Sequence, residues 1–323
     1  MRAKAVFLLT AFFVTVAPLA GQQNQPELHL LHVQGNVYML VGATGNITVQ
    51  VGSDGILLVD TGVAQTSDQV IAMIQQLAKP LTSKPLRYII NTHFHPDHTG
   101  GNEKLRKAGT TITGGNVAGN IQDATQGAAI FAHENVLNKV SAPTGAQSPT
   151  PFGAWPTDTY FGDEKALFFN GEAAQLFHPK SAHTDGDSIV FFRRSDVIST
   201  GDIFLTTSYP IIDIQNGGSI NGIIEALNFI LDLTIPAEKQ EGGTMVIPGH
   251  GRLSDEADVV EYRDMTTIIR DRVQDMIKRG MTLDQVKAAK PTRDYDPLYG
   301  STTGFWTTDM FVEAVYKSLS QKK

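Results

Sequence analysis

The stretch Asn91-Thr92-His93-Phe94-His95-Pro96-Asp97-His98-Thr99-Gly100-Gly101-Asn102 puts three histidines and an aspartate into six consecutive positions, in a chain of 323 residues with nine histidines. Imidazole is the commonest metal ligand near neutral pH, and so dense an ionisable group is a poor filling for an apolar core. His93 and His95 stand two apart at the end of a β-like run, so their side chains can share one side. Asp97 and His98 follow in the loop and can serve a neighbouring position. Three further groups stand at strand ends: His183 in Ala182-His183-Thr184-Asp185-Gly186-Asp187, Asp202 in Thr200-Gly201-Asp202-Ile203-Phe204, and His250 in Pro248-Gly249-His250-Gly251. Ligand-capable residues at several strand exits are what loops on one sheet edge need to build a site. The chain has no cysteine, so a metal would have to be held by histidine and carboxylate alone.

The elements that must position these groups are legible in outline. Apolar β-like runs cover residues 37–41, 47–51 and 56–59, and turn residues separate them. Val70, Ile71, Ile74 and Leu77 have helical spacing over residues 67–79, and Pro80 ends the run. Residues 87–90 form a strand that leads straight into the histidine cluster. A helix is expected over 103–108, a strand over 110–113 and a helix over 128–140, followed by an aperiodic loop over 141–159. Strands resume at 174–177, 188–192, 197–199 and 245–247, with a helix from Ser219 between the last two. Helices follow over 255–278, 282–290 and 308–319, the second opened by a Thr282/Gln285 capping box. The β-then-α order occurs twice, which suggests two sheets packed face to face with helices outside.

Composition narrows the class. The chain is 41% hydrophobic and 18% charged, with 26 basic and 33 acidic residues and a net charge of −7. No basic stripe occurs, so nucleic acid is not an expected partner. Met1-Arg2-Ala3-Lys4 is cationic, residues 5–17 are almost unbroken apolar, and Pro18-Leu19-Ala20-Gly21 follows. Residues 1–21 therefore read as a signal peptide, too short for a comfortable membrane span. Its removal would leave a periplasmic or secreted protein with no stable membrane span. A lipoprotein would need cysteine after Gly21, where Gln22 stands.

The motifs HFHPDH, AHTDGD, TGDIF and PGHG occur in that order within about residues 30–255, and the series resembles the metallo-β-lactamase-fold hydrolase superfamily. The resemblance implies an α/β protein with a four-layer αββα sandwich. Here that means a catalytic domain over residues 27–255 and a C-terminal helical extension over 256–323 packed on it. It also implies a dinuclear centre in which His93, His95 and His183 bind one metal, Asp97, His98 and His250 bind the other, and Asp202 bridges them. Asp60, in Val59-Asp60-Thr61-Gly62, matches a family aspartate just outside the ligand set and would orient a histidine. Two zinc ions are the first expectation for so histidine-rich a site, with iron or manganese compatible with the carboxylates. Two cations would favour hydroxide over a bridging water near neutral pH, with Asp97 and Asp202 as the catalytic carboxylates. The implied reaction is hydrolysis of an ester, lactone, thioester or amide-type bond in a small molecule.

Two alternatives stand beside that reading. The first is β-lactam hydrolysis, since Ala182-His183-Thr184 and Asn216-Gly217-Gly218-Ser219 also resemble the lactamases. Against it, cysteine-bearing zinc β-lactamases have Cys at the position of Asp202 and Arg at that of His98. They also keep a lysine for the substrate carboxylate just beyond, and no Lys or Arg falls between Arg194 and Lys239. The second alternative is an iron-dependent sulfur-oxidising enzyme on the same fold. Tyr209 and Trp155 are candidate substrate contacts, with plain packing an equal reading for each. Phe305 and Trp306 read as residues that dock the last helix. His133 and His178 are assigned to no metal site, and nothing in the sequence specifies the oligomeric state.

Overall fold

The computed structural model describes residues 27–111, 127–143 and 150–320, so the leader expected over residues 1–21 lies outside it. One sheet runs in chain order through β1 (His29–Gln34), β2 (Val37–Val41), β3 (Ile47–Gly52), β4 (Gly55–Val59), β5 (Leu86–Ile90), β6 (Ala129–His133) and β7 (Asp158–Tyr160). Short turns make β1 to β4 antiparallel. From β4 onward the strands are parallel, because longer connections bring each one back in the same direction. Those connections carry α1 (Ser67–Ala78), α2 (Pro96–Thr99) with α3 (Asn102–Lys107), and α4 (Glu134–Ser141).

The second sheet comprises β8 (Glu164–Phe169), β9 (Glu172–Phe177), β10 (Ile189–Phe192), β11 (Val197–Ser199) and β12 (Met245–Ile247), in the order β12-β11-β10-β9-β8. Its strands are antiparallel except that β11 and β12 are parallel, with α5 (Ile220–Leu233) in the connection. Four helices follow: α6 (Glu256–Lys278), α7 (Leu283–Ala289), α8 (Asp296–Tyr299) and α9 (Thr308–Ser320). Among the described residues no helix is long and apolar enough to cross a membrane.

Strand alternation sorts the side chains into three buried layers. Met39, Leu57, Val59 and Ile90 of the first sheet meet Leu176, Val190, Phe192 and Val197 of the second. Val49, Leu58 and Ile89 face the other way, onto Val70 and Ile74 of α1 and Leu105 of α3. Ile189, Ile198 and Val246 turn outward onto α5, α6 and α9, which contribute Ile223, Leu227, Val259, Tyr262, Phe311 and Val315. The result is an αββα sandwich in which the C-terminal helices share one core with α5. Full burial of one such side chain stabilises the fold by about 1.5–3 kcal/mol, so truncation at Ile198 or Phe311 would be felt throughout its layer.

The helix expected over 128–140 is instead a strand followed by a helix. Ala129–His133 is a parallel strand flanked by β5 and β7, and α4 begins at Glu134. An apolar run buried on both faces has no periodicity that separates strand from helix. The strand expected over 110–113 is present as a single bridge between Thr110 and Gly127, and residues 112 and 113 lie outside the described ones. β7 closes what reads as a loop over 141–159, while β1 and β8 carry no strong sequence signal and form the sheet edges. Thr282 caps α7 with the expected reciprocal bonds to Gln285.

Candidate metal centre

The cluster that follows β5 is closed on itself by its two ends. The Asn91 and Asn102 amides exchange hydrogen bonds of 3.0 and 2.8 Å, and Thr61 Oγ1 donates to Asn102 Oδ1 at 2.9 Å. Within the closed loop, Pro96 occupies the first position of α2, where its fixed φ suits a helix start and its missing N–H costs nothing. The single turn of α2 redirects the chain. His93 and His95 stay on the strand side of it, while Asp97 and His98 are carried to the other side.

Two sets of ligand-capable atoms result, each with its atoms within 4.8 Å of one another: His93, His95, His183 and Asp202, and Asp97, His98 and His250. Asp202 lies in the turn after β11, buried, with one carboxylate oxygen toward each set. Oδ2 is 3.9 Å from His93 Nε2 and 3.8 Å from His183 Nε2, whereas Oδ1 is 3.1 Å from His98 Nε2 and 3.5 Å from His250 Nε2. The loop carrying His250 must pass very close to it. A Cβ on Gly249 would sit 2.0 Å from Asp202 Oδ1, so glycine is required there. Asn46 anchors the same loop from the first sheet, its backbone N–H bonding Gly249 O at 2.8 Å and its amide bonding Pro248 O at 2.9 Å.

Four of the five imidazoles, all but His250, are held from behind, and that fixes which nitrogen faces inward. Asp60, at the end of β4 in a left-handed conformation (φ 64°), accepts from His98 Nδ1 at 2.7 Å and from the Thr92 hydroxyl at 2.7 Å. Since Thr92 spends its proton on Asp60, its oxygen accepts from His93 Nδ1 at 3.0 Å. One carboxylate thus orients a histidine of each set. His183 Nδ1 donates to Ile211 O at 2.7 Å. His95 is turned the opposite way, with Nε2 on Asp213 Oδ2 at 3.1 Å and Nδ1 facing His183 Nε2 at 3.0 Å.

Electrostatics suit a cation. Burial, reinforced by the neighbouring His98 and His183, pushes the His93 imidazole well below its usual range, and burial brings His183 down to about 4. Both are then neutral, as a ligating imidazole must be. Burial pushes Asp202 up, but His98 and the other histidines outweigh it and keep the carboxyl ionised. Burial likewise opposes ionisation of Asp213, yet bonds from His95 and Asn216 hold it at about 2. His93 Nε2 and Asp202 Oδ1 are buried with no hydrogen-bond partner. Such orphaned atoms are costly unless something satisfies them; His93 Nε2 belongs to the first set and Asp202 Oδ1 faces the second, so a cation in each set fits them and the surrounding N and O donors.

Asp213 joins the site without any signal in the sequence around it. Nothing in Ile211-Ile212-Asp213-Ile214 signals a site, and only the fold of residues 211–219 brings it behind His95. Its neighbour Asn216 donates to Asp213 Oδ2 at 2.7 Å and accepts from Lys139 Nζ at 3.0 Å. Tyr209 is the reverse case. Expected near substrate, it is buried and stacked on Phe311, with its hydroxyl donating to Asp296 Oδ1 at 2.8 Å, and it does not line the cavity over the ligands. Trp155 does not line that cavity either. Its ring packs beside Val136 and Val140 and its Nε1 donates to Thr150 O at 2.9 Å. Their aromatic character reflects packing needs. Of Phe305 and Trp306, expected as docking residues, Trp306 does pack against the core shared by α5, α6 and α9 while Phe305 stays exposed, and both line the cavity. His133 and His178 stack on each other at 3.6 Å, apart from both ligand sets.

Residues 40–250 match the family model described as the metallo-beta-lactamase superfamily. The chain is similar to a linear primary-alkylsulfatase from Pseudomonas sp. (strain ATCC 19151), 23% identical over 262 residues, covering 72% of this chain and 47% of the relative. It is also similar to 2,4-dinitroanisole O-demethylase subunit alpha from Nocardioides sp. (strain JS1661), 26% identical over 196 residues, covering 60% and 52%. The chain thus spans about half the length of these curated relatives. Among solved structures, a stereoselective inverting sec-alkylsulfatase from Pseudomonas sp. shares the fold at TM-score 0.61 and 16% identity, covering 90% of this chain and 50% of the other. A metallo-beta-lactamase from Pontibacter korlensis does so at TM-score 0.54 and 14% identity, covering 75% and 99%.

Proposed function

The chain belongs to the metallo-beta-lactamase superfamily, and from that premise we propose that it is a hydrolase with two metal ions, zinc first, that cleaves an ester-type bond in a small molecule. The observation that carries the proposal is Asp202, buried between the two ligand sets with one oxygen toward each. His93, His95, His183 and Asp202 would hold one ion, and Asp97, His98 and His250, with the other Asp202 oxygen, the second. When bound, the ions supply positive charge that lowers the pKa of a water and polarises the group under attack.

The remaining work falls to the chain. Asp97 stands on the cavity side, with Oδ2 3.1 Å from His250 Nε2, and is placed to orient a water and take its proton. Asp60 and Asp213 keep the imidazoles from turning, so no reorientation is needed during the reaction. The relatives named as an alkylsulfatase and an O-demethylase support an oxygen-linked bond as the target. For a β-lactam carboxylate, the lysine lining the cavity among the described residues is Lys317, which Glu313 holds at 2.6 Å.

Metal analysis of the purified protein tests this reading, together with assays on an alkyl sulfate, a p-nitrophenyl ester, a lactone, a thioester, a phosphodiester and nitrocefin. The expected result is about two zinc equivalents and hydrolysis that Asp202→Ala abolishes. A single tightly bound iron with no hydrolysis would overturn it in favour of sulfur oxidation. We also read residues 1–21 as a removable leader that sends the protein to the periplasm or beyond. Recovery of the intact N-terminus on cytoplasmic protein would contradict that.

A further inference from the structure

We propose that the substrate carries an uncharged apolar alkyl or aryl group beside its scissile bond, and that Phe305 and Met310 of the C-terminal segment select it. This rests on the hydrolase reading and deepens it. The cavity that contains His95, Asp97, His183, Asp202 and His250 has a volume of about 590 Å³, within the range of small-molecule sites. Away from the ligands its walls are mostly apolar, with Asp213, Gln215, Glu313 and Lys317 among them. Ile211, Ile212 and Ile214 line one part, and Phe305, Trp306 and Met310 line another. Phe305 is 81% exposed and Met310 43%, so both leave apolar surface in water at a cavity that reaches the candidate metal ligands. An apolar group lying there would remove that surface from water, which is favourable in proportion to the area covered.

The wall is firmly built. α9 buries Phe311, Val312 and Val315 in the core and turns Met310, Ala314 and Lys317 to the cavity, at the i, i+4, i+7 spacing of one helix face. Tyr209 supports it from behind, stacked on Phe311 at 4.7 Å and bonded to Asp296 at 2.8 Å and Thr292 O at 3.1 Å. Thr308 pins the preceding loop through its N–H to Ser301 O at 2.8 Å and its hydroxyl, which accepts from Ser301 N at 3.0 Å.

Charge at this end is already matched. Glu313 binds Lys317 at 2.6 Å and Lys287 at 2.7 Å, while Asp213 is engaged by His95 and Asn216. A charged tail would meet groups that are already paired, whereas an uncharged one would leave those pairs intact. The segment lies beyond residues 40–250 that match the family model.

The test uses the metal-loaded full chain and two readouts. Calorimetry measures binding of butanoate, octanoate, decanoate and decane-1-sulfonate, each kept below its micelle concentration. Hydrolysis is followed on p-nitrophenyl esters and alkyl sulfates of increasing chain length. Affinity should rise about two- to fourfold per methylene as the chain covers the wall. In Phe305→Ser/Met310→Ser the ratio of decanoate to butanoate affinity should fall about tenfold or more, with the same fall in the long-to-short ratio of kcat/KM. Met310→Leu, which keeps the apolar surface, should retain most of both ratios. A flat chain-length series, or a double variant with the parental ratios and metal content, overturns the proposal. Turnover with a flat series would refute the wall and spare the hydrolase. Chain-length-dependent binding with no turnover would support the wall and refute the hydrolase.

Discussion

The two ligand sets differ in what stands behind them. In the first, all three histidines have an outer partner: Thr92 for His93, Asp213 for His95 and the Ile211 carbonyl for His183. In the second, His98 is buried on Asp60, while His250 and Asp97 face the cavity with side chains 21% and 29% exposed. The first set is preorganised by the sandwich, and the second is completed by loops at the mouth. The outer hydrogen bonds would suit the first set to retaining a cation, although His95, 24% exposed, also opens to the cavity as His250 and Asp97 do. Asp60 is shared, since it reaches His98 directly and His93 through Thr92.

The largest expected effect comes from breaking the first set. His183→Ala should abolish turnover and cut bound metal to about one equivalent or less, which elemental analysis would show. A variant with full metal content would dissolve the distinction between the sets. Asp60→Ala should come next, weakening metal at both positions by about 10–100-fold. Asp213→Ala should weaken only the first, toward the low end of that range, and a competitive chelator titration separates the two. Equal two-site losses in both variants would contradict the shared role of Asp60.

The stacked pair His133 and His178 gives a control outside both ligand sets. Burial, and then the adjacent His178, hold His133 down to about 4, and its Nδ1 accepts the Asn135 N–H that caps α4. The unfolded imidazole titrates near 6.5, so between about 6.5 and 4 the unfolded chain binds a proton that the folded chain does not. Stability should therefore fall as pH drops through that window and level off below it. His133→Asn keeps a capping side chain and should flatten part of this slope in urea melts, with little change in metal affinity. The smallest effect is Tyr209→Phe. It removes the bonds to Asp296 and Thr292, so stability should drop by about 1 kcal/mol. A large rise in KM without that drop would return Tyr209 to the substrate.

Much of the centre could be read in the chain because its residues come in short runs at strand exits. The spacing of His93 and His95, and the proline between them and Asp97, are local facts with local consequences. The strands β2 to β5 announce themselves for the same reason, through alternation and turn residues. β6 does not, because burial on both faces erases the period. Asp213 is also silent, since it acquires its role only by lying against His95, 118 positions away, and the cavity-facing side of α9 gains its role only from distant segments that meet there.

Residue type and spacing by themselves marked the candidate ligands and suggested the two-sheet architecture, because those follow from side-chain chemistry and backbone periodicity, while the division into two sets came from the family resemblance. Tertiary structure alone decided which oxygen of Asp202 faces which set, that Asp60 serves both, and that a C-terminal helix walls the cavity. Hydrogen-bond partners and cavity walls are contacts between distant segments, and no local pattern encodes where those segments meet.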